Sequence, residues 1–127
     1  MKAVDTNVLV RAIVADHEAQ TALAEEVLQS DCFISHSVLL ETVWVLESRY
    51  ELGRAIIADV LMRILDSDTV HVASQAPTLW AVTSYAEGGD FADLVHLASA
   101  IDVDAFVTFD RQLSRRTDAP VSIELLR

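Results

Sequence analysis

The sequence predicts an α/β domain in which a central parallel β-sheet of about five short strands is flanked by helices on both faces. Three observations lead to this fold class. Short apolar runs alternate with segments of helical length. The hydrophobic fraction is 52%, with only 3 glycines and 2 prolines, which favours a compact chain rich in regular elements. The length of 127 residues suits a single domain, residues 1–127, without an internal linker.

Five short, mainly apolar runs are predicted as strands, and they lie at residues 2–4, 32–34, 70–72, 105–109 and 121–123. The first and fourth runs each end at an aspartate, and both are typical of strands buried on two faces of a parallel sheet. Five segments of helical length fall between the strands, at residues 17–29, 37–50, 52–66, 75–87 and 91–102. Ligands of open α/β sheets bind beyond the carboxyl ends of the strands, so we expect the functional site there.

The composition excludes several classes of protein. A single cysteine, Cys32, rules out an internal disulfide and a thiolate zinc cage. Lys2 is the only lysine, which excludes a P-loop and a catalytic lysine in the interior. Asp5 and Asn7 interrupt the first apolar residues before a signal-peptide core forms, and no uncharged apolar stretch reaches about 18 residues. We therefore expect a cytoplasmic protein that does not span a membrane.

The acidic balance restricts the expected partners. A net charge of −11, from 20 acidic and 9 basic residues, should repel a bare phosphate backbone over much of the surface. A cluster of carboxylates that binds divalent cations would reverse this effect locally, because the cation changes the sign of the site. The arrangement of the acidic residues therefore decides whether nucleic acid is a plausible substrate.

Two aspartates, Asp5 and Asp110, follow predicted strands directly. If those strands are neighbours, about 4.8 Å apart, their carboxylates could share one cation. Asp5 lies between two apolar runs, so we expect it to be buried. For each residue the alternative is a helix N-cap, with the side chain accepting hydrogen bonds from the following helix.

Glu41 belongs to a predicted helix whose main apolar stripe lies on another side, so a solvent-exposed face is the obvious alternative to a functional role. Its helical neighbours Val38, Trp44 and Val45 are nevertheless apolar. This pattern indicates a helix covered on both sides, with the Glu41 carboxylate facing a pocket.

The segment from Gly88 to Ala100 is the most informative in the chain. Asp93 begins a core-facing stripe with Leu97 and Ala100, which favours a role in a site. Helix capping is the alternative, and it explains Asp90 better than it explains Asp93. His96 is interpreted as an ordinary helix residue, because the histidines show no metal-ligand spacing.

Two features suggest contacts with other molecules. Arg111, Arg115 and Arg116 follow Asp110 closely, so they are candidates for phosphate contacts, although a solvated helix face explains them equally well. The predicted helix at residues 52–66 is broadly apolar, which leaves apolar surface beyond the needs of the core for a partner.

The chain carries four motifs in a fixed order: D-T-N after the first strand, S-x-x-x-E in an early helix, D-F-A-D-L-V-H-L-A-S-A, and V-T-F-D. This pattern resembles the PIN domain and, within it, the VapC-type toxins of bacterial toxin–antitoxin pairs. The resemblance implies that the metal-binding and catalytic carboxylates are Asp5, Glu41, Asp93 and Asp110. It further implies that the site is lined or supported by Asn7, Asp90 and Thr108.

The resemblance also implies an activity and partners. The expected activity is an endoribonuclease that depends on Mg²⁺ or Mn²⁺, with Asp5 and Asp93 as the main ligands. The expected partners are an RNA substrate, a cognate antitoxin that blocks the site, and a second copy of the chain in a homodimer. The alternatives are a catalytically inactive PIN-like binding module and another metal-dependent phosphoryl-transfer or phosphatase domain, although the latter lacks its customary lysine.

Overall fold

A computed structural model describes residues 1–127, and it contains five strands and seven helices. The strands are β1 (Lys2–Ala3), β2 (Cys32–Phe33), β3 (Val70–His71), β4 (Phe106–Thr108) and β5 (Ile123–Leu125). The helices are α1 (Thr6–Val14), α2 (Glu18–Leu28), α3 (His36–Ser48), α4 (Arg54–Leu65), α5 (Gln75–Ala86), α6 (Phe91–Ala98) and α7 (Arg111–Ser114). The predicted α/β class is therefore confirmed, with helices connecting the first four strands in turn.

The sheet differs from the predicted single sheet of five strands. Strands β1, β2 and β3 form one parallel sheet in that order, while β4 and β5 form a separate parallel pair. Each strand has only two or three residues, so each ladder contains few hydrogen bonds and ends early. Strand β1 pairs with β2 and not with β4, so the condition under which Asp5 and Asp110 would follow hydrogen-bonded neighbours is not met.

The predicted burial of the first and fourth strands on both faces is also wrong. Lys2 and Ala3 of β1 are exposed, and Val107 in the middle of β4 is 50% exposed. Both strands lie at the edge of their sheet, where one flank has no neighbouring strand. Strand β5 begins at Ile123, two residues later than the start of the predicted run.

The main core lies between the three-stranded sheet and the helices. It holds 19 buried residues, including Leu39, Val43 and Leu46 on one stripe of α3. Residues spaced by three or four positions share one helix face, which explains why this stripe is wholly buried. A smaller cluster, in which Leu97 and Leu113 contact Val121, lies beneath the two-stranded sheet and connects α6 with α7.

Helix α1 was not among the predicted helices, because the run from Val8 to Val10 fits a buried strand as well as a helix. Asp5 caps this helix, and its side chain accepts a hydrogen bond from the Thr6 backbone N–H. The five helices α2 to α6 agree with the predicted segments except at their ends, and the short helix α7 lies outside those segments. The largest difference is α6, which ends at Ala98 instead of residue 102.

The broad apolar surface predicted for residues 52–66 is mostly used within the domain. Helix α4 buries Ile57, Ala58, Leu61 and Leu65, and of its large apolar side chains only Ile56 is exposed, at 56%. None of the seven helices combines the length and apolar composition that a membrane-spanning segment requires.

Candidate active site

An acidic pocket of about 230 Å³ lies where α6 and α7 begin. We call it the acidic pocket, and it is lined by Gly88, Gly89, Asp90, Asp93, Leu94, Asp110, Gln112, Leu113 and Arg116. It brings together three of the predicted residues: Asp93 and Asp110 of the expected ligand set, and Asp90 of the expected supporting set. Asp110 reaches this pocket from the end of β4, which places the site at the carboxyl end of that strand as predicted.

Helix capping holds two of these carboxylates in place. Asp90 Oδ2 accepts a hydrogen bond from the Asp93 backbone N–H at 3.1 Å. Asp110 Oδ1 accepts from the backbone N–H groups of Gln112 and Leu113 at 2.9 and 3.1 Å. Thr108 supports Asp110, because its hydroxyl accepts a hydrogen bond from the Asp110 backbone N–H at 3.0 Å. The capping alternative is therefore realised at Asp5, Asp90 and Asp110.

Helix capping uses only part of the hydrogen-bonding capacity of these carboxylates. At both Asp90 and Asp110 a single carboxylate oxygen makes the capping bonds, and the second oxygen accepts none from the protein. Asp93 is only partly exposed, and its carboxylate accepts no hydrogen bond from the protein. The acidic pocket therefore presents several carboxylate oxygens without protein donors.

Asp93 is the most perturbed acid in the pocket. Burial raises the pKa of its carboxyl, and the neighbouring charges of Asp90 and Asp110 raise the pKa further. His96 and Arg116 oppose this effect by stabilising the charged form. The pocket therefore concentrates more negative charge than its own basic residues compensate.

Two further carboxylates, those of Asp5 and Glu41, lie where α1 meets α3. Thr6 is buried, and its hydroxyl donates to Glu41 Oε1 at 2.5 Å. The backbone N–H of the same residue donates to Asp5 Oδ1 at 2.8 Å, so Thr6 lies between the two carboxylates. The hydrogen bonds of Thr6 to these two carboxylates were not predicted, although Thr6 is the central residue of the D-T-N motif.

The structure corrects three expectations about these residues. Asp5 is exposed instead of buried. Glu41 is also exposed, and the adjacent Trp44 is 61% exposed, so α3 is not covered on that side. Asn7 lines a different depression, between α1 and α2, together with Leu23.

The predicted set of four carboxylates does not close around one point. No group of three or more aspartate, glutamate, histidine or cysteine side chains is placed so that it could hold a metal ion. The acidic residues instead form two sets, one around Thr6 and one in the acidic pocket. The reason is topological: Asp5 and Glu41 belong to elements joined to the three-stranded sheet, while Asp110 follows the separate strand β4.

Arg54 tethers the turn that leads into the acidic pocket. Its Nη1 donates to the backbone carbonyls of Tyr85 at 2.7 Å and Gly89 at 2.5 Å. The guanidinium also lies 4.5 Å from the centre of the Tyr85 ring, within the range of a cation–π contact. Arg54 thus connects α4 to the residues immediately before Asp90. No local sequence pattern predicts this contact.

The bond between Thr6 and Glu41 is testable by substitution. Thr6→Val keeps the shape of the side chain but removes the hydroxyl, so we expect the free energy of unfolding to fall by about 1 kcal/mol in urea titrations. Thr6→Ser keeps the donor and should lose less. Loss of stability in Thr6→Ser without loss in Thr6→Val would show that the methyl group, and not the hydrogen bond, stabilises this contact.

Comparison with known protein families identifies the family of the chain. The PIN domain model matches residues 2–119, which is most of the chain, and the protein belongs to the PIN domain family. PIN domains are generally nucleases, which are hydrolases, and the fold is of the nuclease type. No curated protein matches the sequence significantly.

Proposed function

We propose that this PIN-domain protein is an endoribonuclease that requires Mg²⁺ or Mn²⁺ and acts as the toxin of a toxin–antitoxin pair. The observation that carries the nuclease proposal is the acidic pocket, where Asp90, Asp93 and Asp110 converge at the carboxyl end of β4. Family membership supports cleavage of nucleic acid, since PIN nucleases act on RNA. The toxin role and the homodimer rest on the motif resemblance to VapC-type toxins.

The donor chemistry of the pocket fits a hard divalent cation. Mg²⁺ prefers oxygen ligands, and it is commonly held by one or two carboxylates together with water and substrate phosphates. Asp93 with Asp110 or Asp90 would meet that requirement, with water and substrate phosphate oxygens as the remaining ligands. A bound cation would activate water for attack and neutralise charge that develops on the phosphate.

The residues of the chain have distinct tasks in this proposal. Asp93 supplies a partly desolvated carboxylate. Among the three aspartates of the pocket, a counter-ion would stabilise its charged form most. Asp110 and Asp90 are fixed by their capping bonds, so they face the pocket without rearrangement. Arg116 lines the same pocket and offers a positive charge to a phosphate oxygen of the substrate.

The metal requirement has a readout that does not depend on catalysis. Because the pocket gathers like charges, Mg²⁺ or Mn²⁺ should bind the folded state and raise the melting temperature, with about 2.7 kcal/mol gained at a concentration 100 times the Kd. RNA cleavage should require the same ions and stop with a chelator. Differential scanning calorimetry and a gel assay on mixed tRNA, mRNA and rRNA measure the two effects.

Separate outcomes distinguish the alternatives. Ion-dependent stabilisation without cleavage of any RNA would favour an inactive PIN-like binding module. The absence of both effects would contradict a metal-dependent nuclease. Growth arrest on expression of the wild-type protein, but not of a cleavage-defective variant, is the expected result for a toxin.

The proposed antitoxin would act on the acidic pocket. A guanidinium bridges carboxylates with two parallel hydrogen bonds, so an arginine from the partner would suit Asp93 and its neighbours in place of a cation. Inhibition should then be lost when that arginine is replaced by alanine, while the complex largely persists.

A further inference from the structure

A second pocket, of about 410 Å³, lies on the other side of α7. We call it the arginine pocket, and it is lined by Arg111, Ser114, Arg115, Leu125, Leu126 and Arg127. Three of its six lining residues are arginines and none is acidic. This composition is unusual for a chain with 20 acidic and 9 basic residues.

The arginines of this pocket lack counter-ions within the protein. Three of the other five arginines form ion pairs, Arg11 with Asp16, Arg63 with Asp59 and Arg116 with Asp118, and Arg54 donates to main-chain carbonyls. Arg111, Arg115 and Arg127 take part in none of the ion pairs of the structure. No aspartate or glutamate lines the pocket, so an anion there would be attracted by three guanidinium groups without a competing acidic side chain.

The strand pairing explains how the pocket forms. Strands β4 and β5 are parallel, so both end at the same edge of their sheet. Thr108 at the end of β4 lies opposite Leu125 in the ladder, and its carbonyl accepts a hydrogen bond from the Leu126 N–H at 2.8 Å. This bond holds Arg127 close to the start of α7, which follows β4.

Helix α7 and the residues at its ends form a wall shared by the two pockets. Asp110, Gln112 and Leu113 line the acidic pocket, while Arg111 and Arg115 line the arginine pocket. A helix with its side chains is about 10–12 Å across. The two pockets therefore lie on opposite sides of one short helix, and a single strand could extend from one to the other.

We propose that the arginine pocket binds backbone phosphates of the RNA strand, on the other side of α7 from the bond that faces the acidic pocket. This inference rests on the proposed ribonuclease function. Single-stranded RNA fits better than a lone anion, because three separate guanidinium groups can each contact a different phosphate along a strand. The pocket would also offset the repulsion that a net charge of −11 exerts on the substrate.

The test measures RNA binding apart from cleavage. The probe is a fluorescein-labelled single-stranded RNA of about 12 nucleotides, and its fluorescence anisotropy is followed with protein that carries Asp93→Asn. In this background we combine Arg111→Gln, Arg115→Gln and Arg127→Gln. We expect affinity at low salt to fall roughly 10- to 100-fold, and the slope of log K against log salt to decrease by about 2, as three lost phosphate contacts require.

A control variant of equal charge change isolates the pocket from the net charge. It combines Lys2→Gln, Arg49→Gln and Arg63→Gln, which lie outside the arginine pocket. We expect this control to change the salt slope little. Equal slopes in the two triple variants would overturn the proposal. Equal slopes are also the result expected if the pocket binds an acidic protein instead of RNA. The pocket variant should keep the melting temperature, since its substituted arginines make no ion pairs, and the control loses only the exposed pair of Arg63 with Asp59, which contributes little to stability.

Steady-state kinetics separates this proposal from the function on which it rests. In protein that retains Asp93, the triple substitution in the pocket should raise KM and leave kcat nearly unchanged, because the contact is equally present before and during reaction. If the wild-type protein cleaves RNA but the pocket variant matches the control, only the pocket proposal fails. If no RNA is cleaved but the salt slope still decreases, the ribonuclease function fails and the RNA-binding pocket stands.

Discussion

Asp93→Asn is expected to remove RNA cleavage while leaving the protein folded. The substitution replaces a ligand oxygen and a charge in the acidic pocket, and effects of several kcal/mol on a metal-assisted transition state correspond to roughly 100-fold or more in rate. The matched control is Asp68→Asn, an exposed aspartate in the loop before β3. Loss of cleavage in both variants, or loss of the folding transition in Asp93→Asn, would contradict a catalytic role for Asp93.

The same substitution should stabilise the protein when divalent ions are absent. Burial and the charges of Asp90 and Asp110 raise the pKa of Asp93 above its ordinary value of 3.8, so the folded state takes up this proton more readily than the unfolded state. Asp93 therefore makes its full contribution to the free energy of unfolding at pH values below its pKa in the unfolded chain. This contribution is lost as pH rises through its pKa in the folded state. Asp93→Asn should show a higher melting temperature than the wild type at neutral pH.

The pH dependence provides an internal check on this assignment. The gain in stability from Asp93→Asn should be small near pH 3 and should grow as pH rises toward neutrality, as measured by urea unfolding at each pH. Saturating Mg²⁺ should reduce the gain at neutral pH, because the cation compensates the like charges. A gain that is constant with pH would show that charge repulsion is not its cause.

Gly89→Ala is expected to destabilise the protein by about 1 to 3 kcal/mol, the usual cost of overpacking a filled site. A Cβ at this position would lie 2.7 Å from Leu94 Cδ1, 2.6 Å from Arg116 Nη2 and 3.2 Å from the Ser84 carbonyl oxygen. Leu94 is fully buried, so it has little freedom to move away. Chemical denaturation measures the loss.

Gly53→Ala is the matched control for Gly89→Ala. Gly53 caps α4 with an ordinary backbone conformation, and a Cβ there would meet no atom within 4 Å. Its effect should stay within about 0.5 kcal/mol, because a small capping loss and reduced freedom of the unfolded chain oppose each other. Gly89→Ala should also lower cleavage, since it displaces Arg116 in the acidic pocket; equal stability of the two variants would exclude the steric explanation.

The features that could be predicted from the sequence depend on local physics. The buried apolar stripe of α3 follows from apolar residues three or four positions apart. The aspartates before α6 and α7 are N-cap residues, and their residue type and position in the sequence predict that role. Asp93 and Asp110, two of the four carboxylates expected to converge, do line one pocket, since one lies near a helix start and the other at a strand end. In each case the relevant partners lie a few residues away or at one defined edge of the sheet.

The features that could not be predicted depend on distant contacts. Whether β1 pairs with β4 is decided by the backbone positions of both strands, and runs of two or three residues carry no register information. The bond between Thr6 and Glu41 joins residues 35 positions apart. The exposure of Asp5 and Glu41 likewise reflects the absence of a covering element, which a helical pattern does not reveal.

The contact made by Arg54 has a consequence for how this protein can change during evolution. Arg54 donates only to main-chain oxygens of Tyr85 and Gly89, and every residue possesses such an oxygen. The tether therefore places no demand on the side chains of the intervening residues 86–88, whose identities are free to drift as far as this contact is concerned. The side-chain requirement falls on Arg54 and on the Tyr85 ring that it contacts, so divergent sequences at residues 86–88 can preserve the same support for the pocket.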